Sequence, residues 1–280
     1  MVTTAPRLID RRTPEFRLVC VAAFMQGLAN FAMLYCVQPL LPVFASEFGI
    51  SPAQSSLAVS VATAAVAISL LLTGLLTDAL GRKSMMLVSL AGSAAFTLAA
   101  AMAPDWHLLL LFRGLTGMML AGLPAATMTY LSEELAPRAL GLGLGTYIAG
   151  SVFGGMLGRL LVGVLADWFS WRSALVAVAA TGALGLAFSA WRLPPSRHSR
   201  PQRLPMRELM SRYGRSMRDP GLRMLFGAGF LLMGSFVTIY NYLGFHLLAA
   251  PYGISQTAAA WIFSLYLLGM AFFEFGLSLE

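Results

Sequence analysis

Long apolar runs separated by short polar turns set the pattern of this chain. Residues 18–46, 55–77 and 84–104 contain no charged side chain. Each matches or exceeds the roughly 20 apolar residues that a helix needs to cross a bilayer, and the pattern predicts eight such helices. The first covers about 18–42, and the second runs from the Ser51-Pro52 turn into a charged turn at 78–83. The next three cover about 84–102, 108–131 and 141–166; the sixth follows the turn at 167–172 and runs to about 191. The last two cover about 222–249 and 258–275. Pro137, in the charged loop 132–138, reads as a helix-ending proline. The first run far exceeds the apolar core of a signal peptide, about 7–15 residues, and reads as a retained first helix.

Composition agrees with a polytopic membrane protein. Of 280 residues, 58% are hydrophobic and 11% charged, with a mean hydropathy of +0.74, whereas soluble domains carry about 25% charged residues. The net charge of +7 would suggest nucleic acid if the bases shared one folded face. Instead, sixteen of the nineteen Lys and Arg fall on one side of the alternating topology, and Arg172 stands alone on the other. Arg113 and Arg159 lie within spans. The positive-inside rule therefore makes the N-terminus cytoplasmic and the lipid bilayer, not nucleic acid, the partner.

The expected organisation is a cytoplasmic tail at 1–17, a six-helix bundle at 18–191, a basic cytoplasmic linker at 192–221 and an incomplete second bundle at 222–280. The stretch 192–223 holds nine arginines and is too polar to cross lipid; it reads as solvated or facing anionic lipid. Cys20 and Cys36 sit about four and a half turns apart on one helix and cannot pair. No metal cluster, phosphate-binding loop or nucleophile–base arrangement is visible, so no cofactor, no metal and no enzyme activity is expected.

An internal repeat is present. Leu72-Thr-Gly74-Leu-Leu76-Thr-Asp78 with Lys83-Ser84 matches Leu161-Val-Gly163-Val-Leu165-Ala-Asp167 with Arg172-Ser173 at a constant offset of 89 residues. One copy ends the second helix and the other the fifth, on opposite sides, which predicts three helices repeated in inverted topology.

Three motifs carry a resemblance. Gly74-Leu-Leu-Thr-Asp78-Ala-Leu-Gly81-Arg82-Lys83 resembles the G-x-x-x-D-x-x-G-R-K signature between helices 2 and 3 of the major facilitator superfamily of secondary transporters, with Ala79 in place of a base. Arg113-Gly-Leu-Thr116-Gly117 is similar to the second signature of that family, with Thr116 where Gln is usual. Gly150-Ser151-Val-Phe-Gly154-Gly155 is similar to the antiporter signature G-P-x-x-G-G, with Ser151 in place of proline. The likeness covers about residues 18–270 and is greatest to bacterial drug:proton antiporters.

The resemblance implies an all-α membrane protein with a 3+3 inverted bundle and the start of a second. It implies a gating loop of Gly74, Asp78, Gly81, Arg82 and Lys83, with Arg82 held by Glu133 or Glu134 and Asp78 able to cap a helix N-terminus. The plain alternative is a surface ion pair worth about 0–1 kcal/mol. Arg113 costs about 2.5 kcal/mol or more to bury in a span; it is expected in a substrate or proton cavity, or else structurally paired. Asn30, Tyr147, Tyr240 and Asn241 join that cavity, each alternatively a satisfied interhelical hydrogen bond; so does Gln26, which shares a helix face with Asn30. Gly150, Gly154 and Gly158, four residues apart, make a smooth face for close helix packing, which in an antiporter rocks between two packings. Ser151 and Gly155 flank it.

Glu274 is the one acid in any expected span, leaving Asp105, Asp167, His246 or a further C-terminal region as proton carrier. Members of this family have twelve helices, so the chain is expected to be truncated after about eight. The expected function is proton-coupled efflux of a small amphipathic or lipophilic solute across the bacterial inner membrane. The alternative is a non-transporting membrane protein, a binding or assembly partner or a relic, with self-association possible through its unfilled interface.

Overall fold

The structure, a computed structural model, describes residues 8–198 and 206–263. Among the described residues the regular structure is helical, apart from one isolated bridge on the N-terminal tail. Within lipid a backbone satisfies its own N–H and C=O groups only as a helix or a closed barrel. The helices are α1 (Pro14–Tyr35), α2 (Leu41–Glu47), α3 (Pro52–Ser55), α4 (Leu57–Leu80), α5 (Arg82–Ala101) and α6 (Trp106–Leu120). They continue as α7 (Gly122–Glu134), α8 (Pro137–Trp168), α9 (Trp171–Arg192), α10 (Met206–Ser216), α11 (Pro220–Leu248) and α12 (Gln256–Phe263). Among the described residues, seven segments are long and apolar enough to cross a membrane: α1, α3 with α4, α5, α6 with α7, α8, α9 and α11. These correspond to the first seven expected helices. The eighth begins as α12; its remainder, with Glu274, lies outside the described residues.

Three prolines move the expected boundaries. The first helix was expected to reach residue 42, yet α1 stops at Tyr35. Pro39 has no N–H to give the Tyr35 carbonyl and its ring would collide with that oxygen, while Gln38 before it is pushed out of the helical region. The chain restarts as α2 with Pro42 in its first turn. Pro124 interrupts the fourth span in the same way, breaking it at Ala121 into α6 and α7. Pro137 does not end a helix: it opens α8 at the first helical position, where a missing N–H costs nothing.

Between α4 and α5 the chain turns on Gly81 alone, at φ +84°, a backbone setting that favours glycine. Gly74 has open space around its Cα, so its place in the motif is not explained by close packing here.

Packing follows the sequence repeat. α1 lies most extensively along α8, α4 along α6, and α5 against α9. Exchanging the first three spans for the next three converts the α1–α8 contact into the α4–α6 contact, so the repeat is an inverted one in space. The α1–α8 contact is backbone on backbone. A Cβ added at Gly150 would stand 2.2 Å from the Phe24 carbonyl oxygen, at Gly154 2.1 Å from that of Leu28, and at Gly158 2.8 Å from the Cα of Ala32. The offset is constant (150 and 24, 154 and 28, 158 and 32), so the two helices run parallel in fixed register.

One face of the bundle carries the N-terminal tail, the Gly81 turn, the α7–α8 turn and residues 192–198; we call it the tail face. There the Ile9 N–H donates to the Glu134 carbonyl at 2.8 Å and the Ile9 carbonyl accepts from the Ala136 N–H at 2.9 Å, pinning the tail to the turn before α8. On the opposite face Phe44, Phe48, Trp106 and Trp171 form an aromatic cluster, with Phe44 and Trp171 edge to face at 5.2 Å. Beside it the Trp171 indole N–H donates to Glu47, and Arg172 bonds the same carboxylate at 2.8 Å.

Candidate binding cavity and ion networks

Two stripes of α8 do different work. Gly150, Gly154 and Gly158 press on α1. Tyr147, Ser151, Gly155 and Arg159, also spaced by four, form the neighbouring stripe and line a cavity of about 500 Å³. Its other walls come from α1 (Asn30, Tyr35), α4 (Val66, Leu70), α7 (Met128) and α11 (Phe236). The volume lies within the ~300–1,000 Å³ of small-molecule sites, and the lining is mostly apolar.

Arg159 is 3% exposed. Its Nε donates to Gln38 Oε1 at 2.8 Å and its Nη1 to the Gly155 carbonyl at 2.6 Å. The guanidinium also stands 5.0 Å from the ring centres of both Tyr35 and Tyr240, within cation–π range. Gln38 Nε2 in turn donates to Asn241 Oδ1 at 3.0 Å. Arg159 and Gln38 thus link α8, the α1–α2 break and α11. Tyr240 and Asn241, expected in the cavity, reach it through Arg159 and Gln38.

Two lining groups have no such partners. Asn30 Oδ1 and the Tyr147 hydroxyl are buried without a hydrogen bond. The Ser151 hydroxyl, one turn on, donates to the Tyr147 carbonyl at 3.0 Å. A buried polar group left unpaired costs about 1–3 kcal/mol, and among the buried unpaired groups these two line the cavity. Gln26 shows the other outcome: its amide donates to Ser189 at 3.0 Å and accepts from Thr127 at 2.7 Å.

The expectation that Arg113 lines the cavity is corrected. It is fully buried between helices, donating to the carbonyls of Ala58 at 3.1 Å, Met33 at 2.8 Å and Leu34 at 2.6 Å. Because α1 ends at Tyr35, the carbonyls of its last turn lack intrahelical donors, and a cation also suits the negative end of the helix dipole. The cavity arginine is Arg159. The signal that would have found it is its place twelve residues after Tyr147, on the stripe beside the glycine face.

On the tail face, Arg82 is 5% exposed and grips Glu133 with two nitrogens, Nε to Oε2 at 3.2 Å and Nη2 to Oε1 at 3.0 Å. Its Nη1 pairs with Asp78. This joins α4, α5 and α7 in a charge-assisted fork. Lys83 Nζ donates to the carbonyls of Leu193 at 2.5 Å and Ala190 at 3.2 Å, capping the end of α9. Glu134 does not hold Arg82. Its carboxylate accepts the backbone N–H groups of Arg197 at 2.5 Å and His198 at 2.8 Å, with the His198 ring nitrogen also at 2.8 Å.

Asp78 pairs within its own motif, whereas its repeat partner Asp167 caps a helix across the opposite face. The Asp167 carboxylate accepts from the backbone N–H of Gln256 at 3.2 Å and Thr257 at 2.7 Å, at the start of α12. Asp105 caps α6 by accepting from Leu108 N–H at 3.0 Å, and His246 packs on the Tyr252 ring at 5.2 Å. Among the described residues no group of His, Cys, Asp and Glu is placed to hold a metal ion.

The family model described as Major Facilitator Superfamily matches residues 19–278. The chain is 47% identical over 264 residues to the inner membrane transport protein YnfM of Escherichia coli strain K12, covering 94% of this chain and 63% of that protein. It is 39% identical over 263 residues to the uncharacterized MFS-type transporter YybF of Bacillus subtilis strain 168, covering 94% and 65%. The structure is similar to a bacterial homolog of the human lysosomal transporter Spinster in an inward-facing, occupied conformation, with TM-score 0.74 at 19% identity over 89% of this chain and 57% of that one. At that identity the likeness concerns the fold. The chain spans less than two thirds of the length of these relatives.

Proposed function

The chain belongs to the Major Facilitator Superfamily, and on that premise we propose that it moves a small amphipathic or lipophilic solute by alternating access, exporting it in exchange for protons. The tail face is the cytoplasmic one, as the distribution of Lys and Arg along the chain argues, and the membrane is the bacterial inner membrane. The observation that carries the reading is the cavity: about 500 Å³ of mostly apolar space inside a membrane bundle, with the unpartnered Asn30 and Tyr147 facing it. A lipophilic body fills the walls, and its polar atoms meet those groups.

Alternating access needs a closure at each face. The Asp78–Arg82–Glu133 fork, set by the Gly81 turn and flanked by Lys83 on the end of α9, is the cytoplasmic one; Asp167 at the start of α12 is the other. Export rather than uptake, and coupling to protons, rest on the antiporter-like run Gly150, Ser151, Gly154, Gly155 and Gly158.

The test is solute-dependent proton movement in proteoliposomes holding the chain, followed with a trapped pH dye while a panel of lipophilic compounds is added. Proton exit from acid-loaded vesicles on addition of one compound class supports the reading. No response to any class, with a cysteine in the cavity still reachable from water, points to a binding or assembly partner.

A further inference from the structure

We propose that α10 is an interfacial helix that lies on the leaflet at the tail face and takes anionic phospholipid headgroups, of the phosphatidylglycerol kind, with its arginines. This goes beyond the transport reading and does not depend on it.

The sequence of α10 carries the two faces such a helix needs. Met206, Leu209, Met210 and Tyr213 fall at i, i+3, i+4 and i+7. Met217 continues the row, its N–H donating to the Tyr213 carbonyl at 2.9 Å. At 3.6 residues per turn these five positions occupy an arc of about 100°. Arg207, Arg212, Arg215 and Arg218 fall on the opposite arc, about 140° wide. An apolar face backed by a basic one is the pattern of a helix that lies in a membrane surface. The protein's own core does not bury the end of the apolar row, where Tyr213 is 38% and Met217 58% exposed.

The flanking spans hold α10 at the bilayer surface. At the end of α9 the exposed Trp191 carries the Arg192 guanidinium 4.0 Å from its ring centre; such rings and bases gather at the headgroup level. On the other side only residues 217–219 separate α10 from α11, a reach of roughly 14 Å at most. The helix is thus tethered to spans of the same bilayer, and docking is an intramolecular event that needs little intrinsic affinity.

Charge chooses the lipid. Residues 192–223 carry nine arginines against Glu208 and Asp219, a formal net charge of +7 with His198 neutral, however the groups pair among themselves. Each base near an acidic surface favours the docked state about fivefold, the equivalent of about 1 kcal/mol. Nucleic acid would use the arginines and leave the row of Met, Leu and Tyr in water.

The test places nitroxide spin labels on single cysteines in the whole chain, with Cys20 and Cys36 replaced by serine. Tyr213→Cys and Met217→Cys probe the apolar row, and Ser211→Cys probes the basic face. Depth is read as the ratio of collisions with oxygen, which concentrates in lipid, to collisions with a water-soluble nickel chelate. The chain is compared in phosphatidylcholine nanodiscs, in the same discs with phosphatidylglycerol added, and in uncharged detergent. With phosphatidylglycerol present, the labels at 213 and 217 should read lipid and the label at 211 water; high salt should undock the helix. The docked-to-free ratio should fall roughly fivefold in Arg215→Gln and on the order of a hundredfold when Arg207→Gln and Arg218→Gln are added. Labels at 213 and 217 that read water in both discs, or lipid equally in both, would overturn the proposal. So would lipid contact at 211, or shielding from both reagents in detergent, which would mean that the row packs on protein. The disc comparison keeps the parent arginines, so it decides even where the triple variant folds poorly. Solute-dependent proton movement enters none of these readouts, and each reading stands or falls by its own measurement.

Discussion

Arg113 donates to the Leu34 carbonyl at 2.6 Å, and this bond ties a buried charge on α6 to the cut end of α1. The cut is made by Pro39, and the guanidinium supplies donors that the helix loses there. Replacing Arg113 by Met should therefore strip the Leu34 carbonyl of its side-chain donor, at about 1–3 kcal/mol if it stays unpaired, while the Met33 carbonyl keeps Cys36 Sγ at 3.3 Å and that of Ala58 lies within α4. The expected outcome is a fall in thermal stability of several degrees in detergent; unaltered stability would instead return Arg113 to the cavity.

The glycine face makes a sharper contrast. Gly154→Ala puts a methyl group 2.1 Å from a main-chain oxygen, and backbone cannot turn aside as a side chain would. Overpacking of this kind costs about 1–3 kcal/mol. Gly74→Ala, with open space around it, should stay within about 0.5 kcal/mol of the parent. Melting curves of the two variants check the pair.

For the tail face, a double-mutant cycle separates two adjacent acids. Arg82→Gln combined with Glu133→Gln should show a coupling energy of about 0.5–3 kcal/mol, while Arg82→Gln with Glu134→Gln should be close to additive. Asp78→Asn is expected to increase labelling of cysteines placed along the tail-face half of α4; unchanged accessibility would mean that the fork is no latch.

On the opposite face, Asp167→Ala removes the carboxylate from the first N–H groups of α12. A lost cap costs about 0.5–2 kcal/mol, and a charge at a helix start adds a few tenths more. A cysteine at Ala260, buried in the parent, should become reactive to aqueous reagents in that variant and stay inert in Asp105→Ala.

The spans were legible because lipid imposes a length and excludes charge, conditions that any seven such runs satisfy in plain sight. The α1–α8 contact was legible for a related reason: glycines at every fourth position allow backbone approach, and few other patterns do. What escaped was rotational. Arg113 and Arg159 are both single arginines in apolar helices, and which of them reaches the cavity depends on the phase of α6 and α8 against their neighbours. Glu133 and Glu134 are sequence neighbours roughly 100° apart around a helix, so one meets Arg82 while the other turns to residues 197–198. The break at Tyr35 had its proline in view, but the group that makes the break tolerable lies on another span, 79 residues beyond Leu34.

Where Gly150, Gly154 and Gly158 meet α1, no side-chain layer separates the two backbones. Side chains are the compliant part of a helix interface, and without them the pair has the mechanics of one thicker beam. The beam stops where the glycine contact stops, at Gly158 on one rod and just past Ala32 on the other. Past it, α8 continues unbroken to Trp168, and Arg159 reaches across to Gln38 in the α1–α2 break at 2.8 Å. A tilt of this rigid pair would therefore carry the Arg159–Gln38 link with it as one piece.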